Sequence, residues 1–572
     1  MLLFGSYGVG AWEGGLAKGY HNFSPFFCIP YALTHNLLTI ILVLAFIYII
    51  IGLLHIHRED LRQENIIKRK ISTESTAAGS ERMATEDEIR EMVEYRYPSS
   101  IGTGWPLGKN YFNDRYLYVL DHPEKLMGNG FDLIIGASGK GKSVNFTANM
   151  FLQDLALGRS CIMTDPKMDQ IIHLYEIAKK YVGDNVWIIN WSEAGAFAHS
   201  DGFNILRTLD VNDRTTCHAR AAEIAELYRR IGLKSDDHWS DVTENLCLAL
   251  ELIVAEESLR YENEQDKNET CSLRHIMQML IWGDKQLRIF MNQIPETSVA
   301  FTYARIFVEA PDFDRIAARN SLFSVLNIVA ADAVGEALTH NDVDIRKFAN
   351  EQCVLFLVFT TKQSPYDILT ATFFDQAFTL LEREAKQNFP SNSLKVPVHF
   401  ILDEFPALGT IPSFGTVIDT VRGYGIHISM LIQNVGQVYE RYGKNAADSF
   451  MGQCSVKIYL GSGDKETRQW VQDHMGVGET TIEVEMETTR YNRGFGVKRL
   501  DASARKSYTK GYVMTLDELE TMYDDQMAVL IRFSGKHPFM AHKFMYIYNP
   551  LYEKLEPYNP LAHVPLYLRN VS

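Results

Sequence analysis

Eight consecutive residues carry the clearest chemistry in the chain: Gly136, Ala137, Ser138, Gly139, Lys140, Gly141, Lys142 and Ser143. A glycine-rich turn closed by Lys-Ser is built to hold phosphate. Its glycines let backbone N–H groups turn inward onto anionic oxygens. Lys142 has the reach to contact β- and γ-phosphates, and the Ser143 hydroxyl is a ligand for Mg²⁺. An apolar run at 133–135 precedes the turn, and a helical pattern at 144–155 follows it. That is the strand–loop–helix setting this loop requires, and the helix N-terminus adds its positive end.

A second apolar run, 396–402, ends in adjacent carboxylates, Asp403 and Glu404. In a parallel sheet beside the phosphate-loop strand, such an end faces the nucleotide. Asp403 then holds Mg²⁺ through water, opposite Ser143. Glu404 orients or deprotonates the attacking water. A further apolar strand at 426–432 ends in Gln433, whose amide can sense the γ-phosphate. Arg422 lies 422 − 403 = 19 residues past Asp403. In a ring of subunits it can reach a neighbour's γ-phosphate. Read alone, the acid pair could simply end a strand, Gln433 could cap one, and Arg422 could be a surface arginine. Asp165-Pro166-Lys167 follows the next strand at the same sheet edge, in a supporting role.

The elements that must position these groups alternate as β-α-β, which implies a parallel sheet with helices on its faces. Strands are expected at 117–120, 133–135, 161–164, 186–189, 354–360, 398–402 and 426–432, with helices at 144–156, 169–181 and 368–388. Residues 212–340 read instead as helix after helix. The expected organisation is α/β with an inserted all-α domain: a nucleotide-binding domain in two parts, 101–211 and 341–572, around an all-α domain at 212–340. The chain has 572 residues, 46% hydrophobic and 22% charged, and seven cysteines without a CxxC pair. Neither a zinc site nor a disulfide framework is suggested.

Residues 37–54 form an uncharged apolar run of 18 residues, just long enough to span a bilayer core. Positive charge follows it at Arg58, Arg62, Lys68, Arg69 and Lys70, which puts the C-terminal side in the cytoplasm. Residues 1–57 are thus expected to be a membrane anchor. Residues 58–100, with eight Lys/Arg and ten Asp/Glu, are expected to be a charged linker whose second helix ends before Pro98.

Taken together, these motifs resemble the TraG/TraD-type coupling proteins of type IV secretion and conjugation systems. The residues that carry the likeness are 136–143, Asp165-Pro-Lys167, Gly202-Phe-Asn-Ile-Leu206, His238-Trp239, Ile401-Leu-Asp-Glu-Phe-Pro-Ala-Leu-Gly409, Arg422-Gly-Tyr-Gly-Ile426, Leu431-Ile-Gln433 and Gly461-x-x-Asp464-x-Glu466-Thr467. The resemblance implies a RecA-like P-loop ATPase that uses ATP and Mg²⁺, sits in the inner membrane with its bulk in the cytoplasm, and forms a homo-hexamer. Its implied partners are single-stranded DNA, a relaxase or other protein substrate, and the subunits of the secretion channel. The family usually has two membrane spans before the motor, whereas one is found here.

The formal net charge is −15, so any contact with DNA must be local. One stretch suits it. Residues 489–512 hold seven Lys/Arg against the single acid Asp501, interleaved with Tyr491, Phe495, Tyr508 and Tyr512. Cations neutralise phosphates and aromatic rings stack on bases. A solvated basic loop is the plainer reading. Three functions compete: an ATP-driven DNA translocase serving conjugation, a receptor for protein cargo that does not touch DNA, and a chromosome-partitioning pump of the FtsK/SpoIIIE type. The helical insertion and the single apolar segment fit the last one least.

Overall fold

The computed structural model describes residues 81–97, 100–110, 115–120, 130–232, 241–362, 364–388, 392–411, 414–490, 499–524 and 527–569. For 478–511 within this set, only the backbone is described. From Ala84 onward the chain forms one compact unit. The expected membrane segment at 37–54 lies outside the described residues. Among the described ones, no single helix is long and apolar enough to cross a membrane.

The strands, in chain order, are β1 (Val93–Arg96), β2 (Pro106–Asn110), β3 (Tyr116–Val119), β4 (Phe131–Ile135), β5 (Ser160–Thr164), β6 (Val186–Asn190), β7 (Val354–Val358), β8 (Val398–Leu402), β9 (Ile426–Ile432), β10 (Val456–Tyr459), β11 (Val477–Arg490), β12 (Arg499–Tyr512), β13 (Ala528–Phe533) and β14 (Phe539–His542). Twelve of them make one sheet in the order β1-β3-β2-β14-β13-β10-β4-β9-β8-β5-β7-β6. The half from β10 to β6 is parallel throughout. Beyond β10 the pairing turns antiparallel. The sheet is therefore mixed.

The parallel strands are covered on both faces, which is why they read as unbroken apolar runs. Every residue of β4, β5, β6, β7 and β8 is buried. The helices Ala148–Ala156 and Ile171–Val182 lay Phe151, Leu155, Leu174 and Ile177 against Ile134, Leu431, Ile401 and Phe356 of the sheet. Between β6 and β7 the chain leaves the sheet and, among the described residues, runs through eight α-helices, from Arg214–Gly232 to Asp332–Thr339.

Two expectations are corrected. β8 does not lie beside the phosphate-loop strand, because β9 sits between them and pairs with both. The central place goes to β9, whose seven residues are nearly all buried. The second linker helix ends before Pro98, at Met92, and the correction is a strand between them, at Val93–Arg96. A Thr85–Glu88 capping box starts a helix at Glu86–Met92, and Val93–Arg96 then pairs with β3 as an edge strand. Glu94 and Arg96 suggest a helix in the sequence, but Val93 is buried and edge strands tolerate charge on their open side.

Candidate functional site

The phosphate loop hangs from the ends of β9 and β10. Gly136 N–H donates to the Ile432 carbonyl (3.1 Å), and Ala137 N–H to the Gly461 carbonyl (3.0 Å). Ala137 is half-buried, and Ser138 and Gly139 form the exposed apex. Gly139 (φ +78°) and Gly141 (φ +81°) adopt the left-handed conformation that favours glycine. A Cβ on Gly141 would lie 2.4 Å from Asn145 Nδ2, the group that donates to the Gly141 carbonyl. Lys140 and Lys142 are buried. Lys142 Nζ donates to the Gly136 carbonyl (2.7 Å), which folds the lysine back across the loop. Burial lowers the pKa of this ammonium, while Glu404 and Asp403 push it back up. A π-helical turn, Ser143–Thr147, opens the helix that follows.

The acidic strand end meets this loop directly. Ser143 Oγ donates to Asp403 Oδ2 at 2.8 Å, a contact between residues 260 positions apart. The Asp403 carbonyl accepts from Thr164 Oγ (2.9 Å), and its Oδ1 accepts from the Glu404 N–H (3.0 Å). Burial raises the Asp403 pKa; the Ser143 hydrogen bond and the Lys142 charge act against it. Glu404 is buried and left-handed (φ +54°, ψ +44°), which is unfavourable for a residue with a side chain. Its Oε1 accepts from Gln433 Nε2 at 2.7 Å and has Lys167 Nζ at 3.9 Å. A cleft of about 480 Å³ opens beside it, walled by Gln433, Gln437, Glu440, Arg441 and Thr361.

The sequence-derived residues thus fall into two groups. The loop 136–143, Asp403, Glu404 and Gln433 converge at one edge of the sheet, the C-terminal end of the parallel strands. Arg422 is in the short turn Val421–Tyr424 at the opposite end of β9, a strand that spans roughly 20 Å, and only its backbone is described. Asp165 accepts from the N–H groups of Gln170 (2.9 Å) and Ile171 (2.8 Å) and so starts the next helix. Burial raises its carboxyl to about 7.

Sequence reasoning missed a buried polar chain behind the loop. Asp154 Oδ2 lies 2.6 Å from His399 Nδ1, His399 Nε2 lies 2.8 Å from Ser429 Oγ, and Ser429 Oγ donates to Asp132 Oδ2 at 3.0 Å. It links β4, β9, β8 and the helix after the loop. The available signal was a polar residue inside otherwise apolar strands: Asp132 in β4, His399 in β8, and Ser429 beside His427 in β9. Burial pushes the Asp132 carboxyl up to about 7, against the nearby His399 and the Ser429 hydrogen bond.

The basic stretch 489–512 falls on a two-stranded hairpin in which β11 pairs antiparallel with β12. The register puts Glu479 opposite Lys510 and Glu483 opposite Lys506, and Arg490 opposite Arg499 at the turn end. Residues 491–498 lie outside the described residues.

Residues 61–559 match the family described as type IV secretory system conjugative DNA transfer. The chain is 23% identical to the protein VirD4 of Rhizobium rhizogenes over 235 residues, 40% of this chain and 32% of that one. It is 29% identical to the conjugal transfer protein TraG of Agrobacterium fabrum over 140 residues, 24% of this chain and 20% of that one. The aligned parts thus span a third or less of these relatives' length. Among solved structures it is similar to the plasmid coupling protein TrwB in complex with the non-hydrolysable ATP analogue ADPNP (TM-score 0.56, 15% identity, 86% of this chain and 99% of that one). It is also similar to TrwB in complex with ADP and Mg²⁺ (TM-score 0.53, 15% identity, 76% and 88%). At these identities the likeness is one of fold: a mixed α/β sheet with many helices.

Proposed function

Because the chain belongs to the type IV secretory system conjugative DNA-transfer family, we propose that it is a membrane-anchored ATPase that couples a DNA or relaxase–DNA substrate to a secretion channel and drives its transfer. The observation that carries this reading is the Ser143–Asp403 hydrogen bond. It brings a hydroxyl and a carboxylate, the two hard oxygen donors that Mg²⁺ prefers, to one point beside a buried lysine. The donor set fits the ion, and Mg²⁺ held there would neutralise charge on the β- and γ-phosphates of bound ATP.

The protein's own groups then divide the work. The loop N–H groups of 136–143 and the Lys142 ammonium bind and orient the phosphates. Glu404 accepts the proton of the attacking water. Gln433, hydrogen-bonded to Glu404, links the state of the γ-phosphate to β9. Arg422 reaches the site of a neighbouring subunit in a homo-hexamer, consistent with its distance from the loop of its own chain. The nucleotide-binding domain comprises 101–211 and 341–572, the all-α domain 212–340, the membrane anchor 1–57 and the linker 58–100. The anchor holds the chain in the inner membrane with its bulk in the cytoplasm. Single-stranded DNA meets the hairpin end near Arg490 and Arg499, where the register leaves positive charge unopposed by acids.

The test is ATP turnover by the full-length protein, with and without single-stranded DNA. Turnover stimulated by DNA and abolished in Lys142→Ala supports the reading; normal turnover in Lys142→Ala removes it. One observation favours a second reading, delivery of protein cargo without DNA pumping. An open cleft of about 420 Å³ in the helical insertion is lined by Trp282, Ile289 and Phe290, with Trp282 and Ile289 nearly half exposed. Exposed apolar patches of this kind mark protein contacts. ATP turnover indifferent to DNA would select that reading.

A further inference from the structure

Three neighbouring strand ends line up at the site: β9 with Gln433, β8 with Glu404, and β5 with the turn that carries Lys167. Lys167 Nζ lies 3.9 Å from Glu404 Oε1, the same oxygen that Gln433 Nε2 holds at 2.7 Å. Among the described residues, the second oxygen, Oε2, has no hydrogen-bond partner. Lys167 is also close enough to Lys142 for its charge to help lower that lysine's pKa. One partly exposed ammonium therefore acts on both the carboxylate and the phosphate-binding lysine.

The backbone supports a functional reading of this arrangement. Three non-glycine residues have positive φ among the described residues: Met168 (+57°), Asn392 (+52°) and Glu404 (+54°). Two of them flank this ion pair, on the turns that follow β5 and β8. Left-handed residues with side chains persist where surrounding structure holds them, and they gather at sites of function. Here the Met168 N–H bonds back to the Asp165 carbonyl, and Asp165 is fixed as the cap of the next helix. The Glu404 backbone is fixed by Asp403 and by the Ala407 N–H.

We propose that Lys167 is a positioning residue for hydrolysis: with Gln433 it clamps Oε1 of Glu404, leaving Oε2 to take the proton of the attacking water. Its charge also offsets the repulsion between that carboxylate and the terminal phosphate of bound ATP. The inference rests on reading the site as an ATP-hydrolysing centre. A carboxylate freed from this clamp loses orientation, which costs rate and leaves ground-state binding nearly unchanged.

The experiment measures kcat, KM, fluorescent-ATP affinity and Tm for the full-length wild type, Lys167→Ala, Lys167→Arg and Lys142→Ala. The expected result for Lys167→Ala is a kcat about 10- to 30-fold lower with KM within about 3-fold and Tm unchanged, and recovery of most of the rate in Lys167→Arg. An active wild type and a dead Lys142→Ala, with Lys167→Ala running within about 2-fold of wild type, would overturn the inference alone. So would loss of rate accompanied by loss of Tm and no rescue by arginine. A wild type without turnover would overturn the ATPase reading and this inference with it.

Discussion

Glu404→Gln keeps the shape of the side chain and an oxygen for Gln433 to bond, and removes the carboxylate proposed as the base. ATP affinity should stay within about 3-fold while turnover falls by roughly 10²- to 10⁴-fold, the usual contribution of a general base. Equilibrium binding and steady-state hydrolysis measured on the same preparation check this. A second expectation concerns Asp132. Its carboxyl is raised to about 7 from an ordinary value near 4. The folded protein thus holds this proton more tightly than the unfolded chain. The stability it lends is fully present below about pH 4 and is lost as pH rises through 7. The groups facing it are His399, Asp154 and Ser429, with Cys454 nearby. Asp132→Asn should flatten the fall in Tm between pH 5 and 8 without abolishing it, since Asp165 (about 7) and Asp342 (about 6) shift the same way. At this scale, Asp403, Glu404 and Gln433 were legible because each ends an apolar strand. Asp132, His399 and Ser429 were not, because each is a polar residue inside an apolar strand and they meet only once the sheet order is known.

At the scale of elements, the Gly202-Phe-Asn motif finds its explanation at the stems of the helical insertion. A Cβ on Gly202 would lie 2.6 Å from both Cβ and the carbonyl oxygen of His340. The chain entering the insertion and the chain leaving it cross at this point. Asn204 fastens them, donating to the carbonyls of Cys271 (2.7 Å) and Thr339 (2.8 Å). Residues near the C-terminus close over the same crossing. Asp201 accepts from the Leu566 N–H (2.8 Å) and lies 3.0 Å from His563 Nε2, while Tyr567 stacks on His340. Gly202→Ala should cost about 1–3 kcal/mol, as overpacking does, and urea unfolding followed by circular dichroism would measure it. The sequence located β8 and β9 to the residue, since long apolar runs leave little choice. It did not reveal their order, which depends on pairings between distant segments, and it gave no sign of the charged edge strand β1.

For the whole molecule, an acidic chain with a net charge of −15 must concentrate its cations to hold DNA. In the hairpin register Lys506 and Lys510 face glutamates, Arg505 faces Val484, and two arginines, Arg490 and Arg499, face each other at the turn end. Neutralising Arg490, Arg493, Lys498 and Arg499 together should weaken single-strand binding and reduce the slope of log K against log salt by up to about 3, at roughly 0.7 per phosphate contact. A titration across salt concentrations checks both effects, and an unchanged slope would leave the hairpin a solvated loop.

The neighbours of β4 in the sheet have one further consequence, for biosynthesis. Phe131 pairs with Ile428, 428 − 131 = 297 residues later, and Asp132 with Val456, 456 − 132 = 324 residues later. At about 5–20 residues per second, a ribosome needs roughly 15–65 s to deliver those partners. For that interval the strand leading into the phosphate loop is an orphan with both edges open, a natural client for a chaperone. The edge of the sheet where the loop 136–143 meets Asp403 therefore cannot assemble until most of the chain has emerged.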